Sequence, residues 1–122
     1  MEPLKYYYEF NGNRDLPEEE QGYAMIVPLS AKDQSAITNH LVEASVLAGK
    51  KNVKLDMAQK SLDINAKRCP KVFKVKSPMG EGVNEEMSIK EVYEHPLLGK
   101  LYEELSNAVG DIDMLAEGVK KN

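Results

Sequence analysis

The residues best equipped for chemistry are few and scattered. Cys69 is the only cysteine, and His40 and His95 are the only histidines. A thiol becomes a nucleophile when a base or a cation stands beside it, and nothing local orients either histidine toward Cys69. At the end of an apolar stripe, a cysteine serves as a small core residue. His40 and Glu43 stand three positions apart, the offset used by helical di-iron sites. Such sites also need a second matched pair and two further glutamates, and neither is present. Cys69, His40 and His95 cannot build a zinc site without carboxylates, and no standard spacing links them. Glu18-Glu19-Glu20 reads as a solvated run. Gly80-x-Gly82 is too short for a phosphate loop and lacks the strand-turn-helix setting. The expectation is a protein that is not an enzyme, with no catalytic residue, cofactor or metal.

Charge narrows the choice of partner. Sixteen Lys and Arg against twenty Asp and Glu give a net charge of −4, which lacks the clustered positive charge that phosphate contacts require. The basic residues gather between Lys50 and Lys76, with only Asp56 and Asp63 against them. That stretch reads as solvated lysines around a helix, or as a face for phosphate or an acidic protein. Tyr6, Tyr7 and Tyr8 would place two rings on one strand face and one on the other. An acidic ribbon makes a poor single-strand platform, so the rings should pack on the first helix or on another subunit. The expected partner is another protein or a second copy, with no nucleic acid. No run approaches the ~18 apolar residues of a spanning helix, and the N-terminus has no apolar stretch suited to secretion. The expected location is therefore cytoplasmic, with no membrane partner.

The elements that would position these residues follow from pattern. A chain of 122 residues and 42% hydrophobic content suits a single domain over 1–122 with a real core. Residues 4–10 and 23–29 read as strands separated by the Asn11-Gly12-Asn13 turn, the second closed by Pro28. A lone two-stranded ribbon is marginal in water, so helices or another chain should cover it. Ser30 and Asp33 would cap a helix running to about Ala48, with Ile37, Leu41, Ala44 and Ala48 on one face and Gly49 as its stop. Residues 53–68 fit two alternating strands or one helix. Leu55, Ala58, Leu62, Ala66 and Cys69 share a helical face, so a helix over about 54–68 is the reading, ended by Pro70, with Ile64 on the far side. Val72, Phe73 and Val75 form a short extended segment, followed by a loop over 77–82.

Ser88-Ile89-Lys90-Glu91 is a complete capping box for a short helix to Tyr93 or Glu94. Pro96 would open another helix, burying Leu97, Leu98, Leu101, Leu105, Ala108 and Val109 and stopping at Gly110. A last helix over 111–121 would turn Ile112, Met114 and Leu115 inward. The fold class is α+β: an N-terminal two-stranded ribbon (4–29) packed against a mainly helical bundle (30–122).

The order of these segments carries a resemblance. Ile26-Val27-Pro28-Leu29-Ser30-Ala31-Lys32-Asp33-Gln34 is similar to an "R-P-L-T-A-R-E-Q" step, and Arg68-Cys69-Pro70-Lys71-Val72-Phe73-Lys74-Val75 to a "C-V-x-x-W-x-x-V" segment. Met87-Ser88-Ile89-Lys90-Glu91-Val92 resembles "P-x-T-x-E-x-L", and Leu97 to Val109 resembles "L-x-x-E-L-x-x-A-I". In this order, over about residues 4–109, they resemble the small tail assembly chaperones of tailed bacteriophages. Phe73 stands where that group often has tryptophan, and Pro78-Met79-Gly80-Glu81-Gly82 replaces its acidic turn. The resemblance implies a non-catalytic helper in the bacterial cytoplasm that binds a tape-measure or tail-tube protein during virion assembly. A host protein-binding adaptor and a structural virion connector remain the alternatives. Holding a partner's apolar surface requires exposed apolar side chains. The candidates are Tyr6, Tyr8, Ile64, Lys67, Phe73, Met79 and Met87, while Met25 is expected in the core.

Overall fold

The structure is a computed structural model that describes residues 3–32, 53–80 and 82–119, with residues 53–58 described by backbone alone. The expected helix from Ser30 to Ala48 lies outside the described residues beyond Lys32, as do His40 and Glu43.

Four strands form one antiparallel sheet in sequence order: β1 (Leu4–Tyr6), β2 (Tyr23–Ile26), β3 (Lys71–Lys76) and β4 (Val83–Ser88). The helices are α1 (Val53–Arg68), α2 (Ile89–Glu94), α3 (Gly99–Gly110) and α4 (Ile112–Val119). The fold is thus α+β. The two N-terminal strands do pair, Leu4 with Ile26 and Tyr6 with Ala24, but they are half of a larger sheet rather than a separate ribbon. β1 also ends early, and the chain turns into a 3-10 segment over Phe10–Asp15. Asn11 and Gly12 take positive φ there, as an Asn-Gly turn allows.

Strand periodicity decides which face is closed. Tyr6, Ala24, Val72 and Met87 are cross-strand neighbours and are all buried. Val75 is buried too, although three positions from Val72 it falls out of the two-residue alternation. Lys74 lies between them with φ of 55°, and this left-handed residue resets the strand's phase. β4 was not anticipated, because Val83-Asn84-Glu85-Glu86 has no apolar alternation and all four residues are exposed. Its pairing with β3 defines it.

The helices cover the closed face. Ser88 and Glu91 form the capping box of α2, with Glu91 N–H donating to Ser88 Oγ and Ser88 N–H to Glu91 Oε1, each at 3.1 Å. The α1 reading holds, with Leu62 and Cys69 inward. Ala66, however, is exposed and Asn65 is buried in its place. Asn65 Nδ2 donates to Tyr102 Oη and Ser106 Oγ, both at 3.1 Å, so a polar residue is tolerated inside because it is bonded. α3 begins at Gly99, not at Pro96, which lies in a turn closed by Leu98 N–H donating to His95 O. Leu97 is therefore exposed while Leu98, Leu101, Leu105, Ala108 and Val109 are buried. In α4 only Leu115 of the three expected residues is buried. Met114 packs at the core's edge and Ile112 is exposed.

The sheet meets the helices through one carboxylate. Glu104 Oε2 accepts from Tyr6 Oη at 2.6 Å and from Glu9 N–H at 2.7 Å, and Oε1 accepts from Phe10 N–H at 2.9 Å. Beside it, Tyr7 N–H donates to Gly118 O at 3.0 Å. Gly118 can approach because it lacks a Cβ, which would collide with the Tyr6 ring. Asn13 serves the other end of the segment. Its Nδ2 donates to Tyr8 O and Gly22 O, both at 2.8 Å, and Gly22 N–H donates back to its Oδ1 at 2.6 Å.

Gly22 is the tightest point. A Cβ there would overlap the Tyr8 hydroxyl and lie 2.6 and 2.7 Å from the carbonyl oxygens of Phe73 and Lys74. Gly22→Ala should lower stability by about 1–3 kcal/mol through overpacking. At Gly99 a Cβ meets nothing within 4 Å, so Gly99→Ala should raise stability by about 0.4–1 kcal/mol through the unfolded chain. Urea denaturation of the two variants beside the parent checks both signs.

Candidate functional site

The seven sequence candidates separate by burial. Tyr6, Tyr8 and Met87 belong to the core, at 0%, 2% and 7% exposure, and offer almost no surface to a partner. Their rings can bury whole because each tyrosine hydroxyl finds an internal acceptor, Tyr6 in Glu104 and Tyr8 in the carbonyls of Phe73 and Lys74. Burial raises both phenols, and for Tyr6 the Glu104 carboxylate adds to the effect. Lys67 is exposed and Ile64 half-buried on α1, Phe73 is half-buried on β3, and Met79 is exposed at the β3–β4 turn. These four occupy three separate elements.

The second face of the sheet brings together residues that sequence reasoning only partly found. Tyr7 points away from Tyr6 and Tyr8, as strand alternation requires. Its ring stands 5.8 Å from Tyr23, and Tyr23 stands 5.0 Å from Phe73, directly across the β2–β3 pair. Lys5 Nζ lies 4.9 Å from the centre of the Tyr23 ring, a cation–π distance. Met25, expected in the core, sits half-buried on this face between Lys5 and Lys71. Lys71 pairs with Glu86 at 3.0 Å. Tyr7 is itself buried, at 9% exposure, while Tyr23, Met25 and Phe73 are half-buried. Only the register of strands 50 residues apart in sequence (Tyr23 and Phe73) reveals the row.

Beside the row runs a groove of about 470 Å³, lined by Lys5, Tyr7, Glu18, Glu19, Gln21, Tyr23 and Lys74. It adjoins a second of about 220 Å³ toward β4, which shares Glu19 and Lys74 and adds Glu20, Lys76, Val83 and Glu85. Lys74 Nζ donates to Glu19 O at 2.7 Å and ties the Glu18–Glu20 turn to the sheet. The described part of the basic stretch is spread over several elements: Lys67 is on α1, while Lys71 pairs with Glu86 and Lys74 bonds Glu19 O.

The chemistry available to the other candidates is limited by their surroundings. Cys69 is fully buried, and burial pushes its thiol up to about 12, so it is protonated at neutral pH. His95 Nδ1 accepts from Leu97 N–H at 3.1 Å and closes the turn before α3. Among the described residues no group of three or more His, Cys, Asp or Glu is placed to hold a metal, and no helix is long and apolar enough to cross a membrane.

The surface offers apolar contact bordered by charge. No family model, curated protein or solved structure matches the chain.

The buried acids impose a pH limit. Cys69 holds its proton more tightly folded than unfolded, since its value rises from 9.0 to about 12, and Tyr6 and Tyr8 shift in the same direction. Stability from these groups is complete below about pH 9 and falls as pH climbs toward 12, where the unfolded chain releases protons first. Urea midpoints should hold from pH 7 to 9 and decline above. In the same series the Cys69 thiol should resist a disulfide reagent at pH 8 until urea unfolds the protein.

Proposed function

We propose that the chain is a non-catalytic protein-binding factor of the tail-assembly-chaperone kind, holding a tape-measure or tail-tube protein in the bacterial cytoplasm before virion assembly. The observation that carries the reading is the half-buried Tyr23–Phe73 pair with Met25, an aromatic and apolar strip on the sheet face away from the core, with the buried Tyr7 ring against its end. Such a strip, bordered by Lys5, Lys71 and Glu86, suits a protein partner. Its centre excludes water from aromatic contacts, and its charged rim keeps the carrier dispersed. The segment order over about residues 4–109 supports the choice of partner class.

The proposal requires a tape-measure or tail-tube protein encoded beside the gene, and the test is co-expression with it. That protein should co-purify with the chain, and mature particles should lack the chain by mass spectrometry. Phe73→Asp, at a half-exposed position, should fold normally and weaken capture by ~10-fold or more, as loss of a central aromatic contact does. Capture of neither protein, or capture indifferent to Phe73→Asp, contradicts the proposal. Retention in the particle would make the chain a connector subunit instead.

A further inference from the structure

The two edges of the sheet are finished differently. β1 is closed on its outer side, where Tyr7 N–H donates to Gly118 O and α4 packs against the strand. β4 pairs with β3 on one side only, and among the described residues no strand or helix covers its other edge. Val83, Asn84, Glu85 and Glu86 are exposed in succession, and Met79 and Val83 add apolar surface at the hairpin tip, 68% and 46% exposed. An uncovered edge carries a row of main-chain donors and acceptors ready to pair with another extended chain.

The charges on β4 select which chain. A second copy pairing antiparallel in full overlap with this strand would bring Glu85 and Glu86 opposite one another, and like charges across a strand pair are destabilising. A cation is favoured instead, and the sheet already contains the model for it. Lys71 reaches Glu86 from the neighbouring strand at 3.0 Å. Glu85 has no ion pair among the described residues. It lines the 220 Å³ groove with Glu19, Glu20, Lys74 and Lys76; Lys74 is drawn off to Glu19 O, and three carboxylates there face two lysines. We propose that the outer edge of β4 receives an extended segment of a partner protein as a fifth strand, with lysine or arginine facing Glu85 and apolar residues against Val83 and Met79. The inference rests on the protein-binding reading but not on the identity of the partner.

An alternating lysine–valine hexapeptide, blocked at both ends, tests it against the isotope-labelled full chain, with a glutamate–valine hexapeptide as control. The lysine peptide should shift the amide resonances of residues 83–86 and slow hydrogen exchange at alternate β4 positions. Its affinity should fall as salt rises, and by ~10-fold in Glu85→Lys. The control should do neither. No response at β4 at millimolar peptide, an equal response to both peptides, or shifts confined to the helices would overturn the proposal. Capture of a tail protein with no response at β4 would leave the function standing and remove this edge as its means.

Discussion

Glu104 is the constraint on which the arrangement depends. Its carboxylate stands on α3 and accepts the Tyr6 hydroxyl and the N–H groups of Glu9 and Phe10. Hydrogen bonds to a charged acceptor are stronger than neutral ones, and these three fix one strand, its side-chain phase and the turn after it. With Tyr6 held against the helices, Tyr7 must face the other way, where it meets Tyr23. The open face is therefore set from the closed one. No buried side-chain nitrogen or oxygen among the described residues is left without a partner, so this polar network is consistent with a dense apolar core.

The same logic distributes the sheet's remaining features. Lys74 in the left-handed region lets Val72 and Val75 both face inward, and its ammonium holds the Glu18–Glu20 turn over the groove. A strained non-glycine residue persists where its surroundings over-determine it. Here the Tyr8 hydroxyl lies within hydrogen-bond distance of the two carbonyl oxygens that flank the Lys74 Cα, those of Phe73 and Lys74. Helices on one face, an aromatic row on the other and, among the described residues, one edge without a partner strand make the sheet the proposed contact surface.

Local chemistry was legible where a few adjacent residues decide it. The Ser88 capping box, the Asn11-Gly12 turn and the helix ended by Pro70 were read from neighbours in sequence and are present. α1 was separable from two strands because the segment lacks a turn dipeptide. What failed depended on distant partners. Tyr6 and Tyr8 looked like contact residues because aromatic rings on a short strand suit an interface. Their burial depends on acceptors 98 and 65 positions away. β4 escaped notice because its polar residues are organised by pairing with β3, not by an apolar alternation of their own. Leu97 matched the apolar stripe of α3, yet the helix starts two residues later and leaves it outside. Phe73, Ile64, Lys67 and Met79 remain accessible to differing degrees, and only Phe73 joins the aromatic row.

The central claim is that the working surface is the sheet and not the helical face. Hydrogen exchange of the chain in complex with its captured partner, resolved by peptide, tests it most directly. The account predicts added protection over residues 71–76 and 83–88, with 99–110 unchanged from the free protein. Protection gained only over 99–119, with both strands exchanging as they do alone, would contradict it.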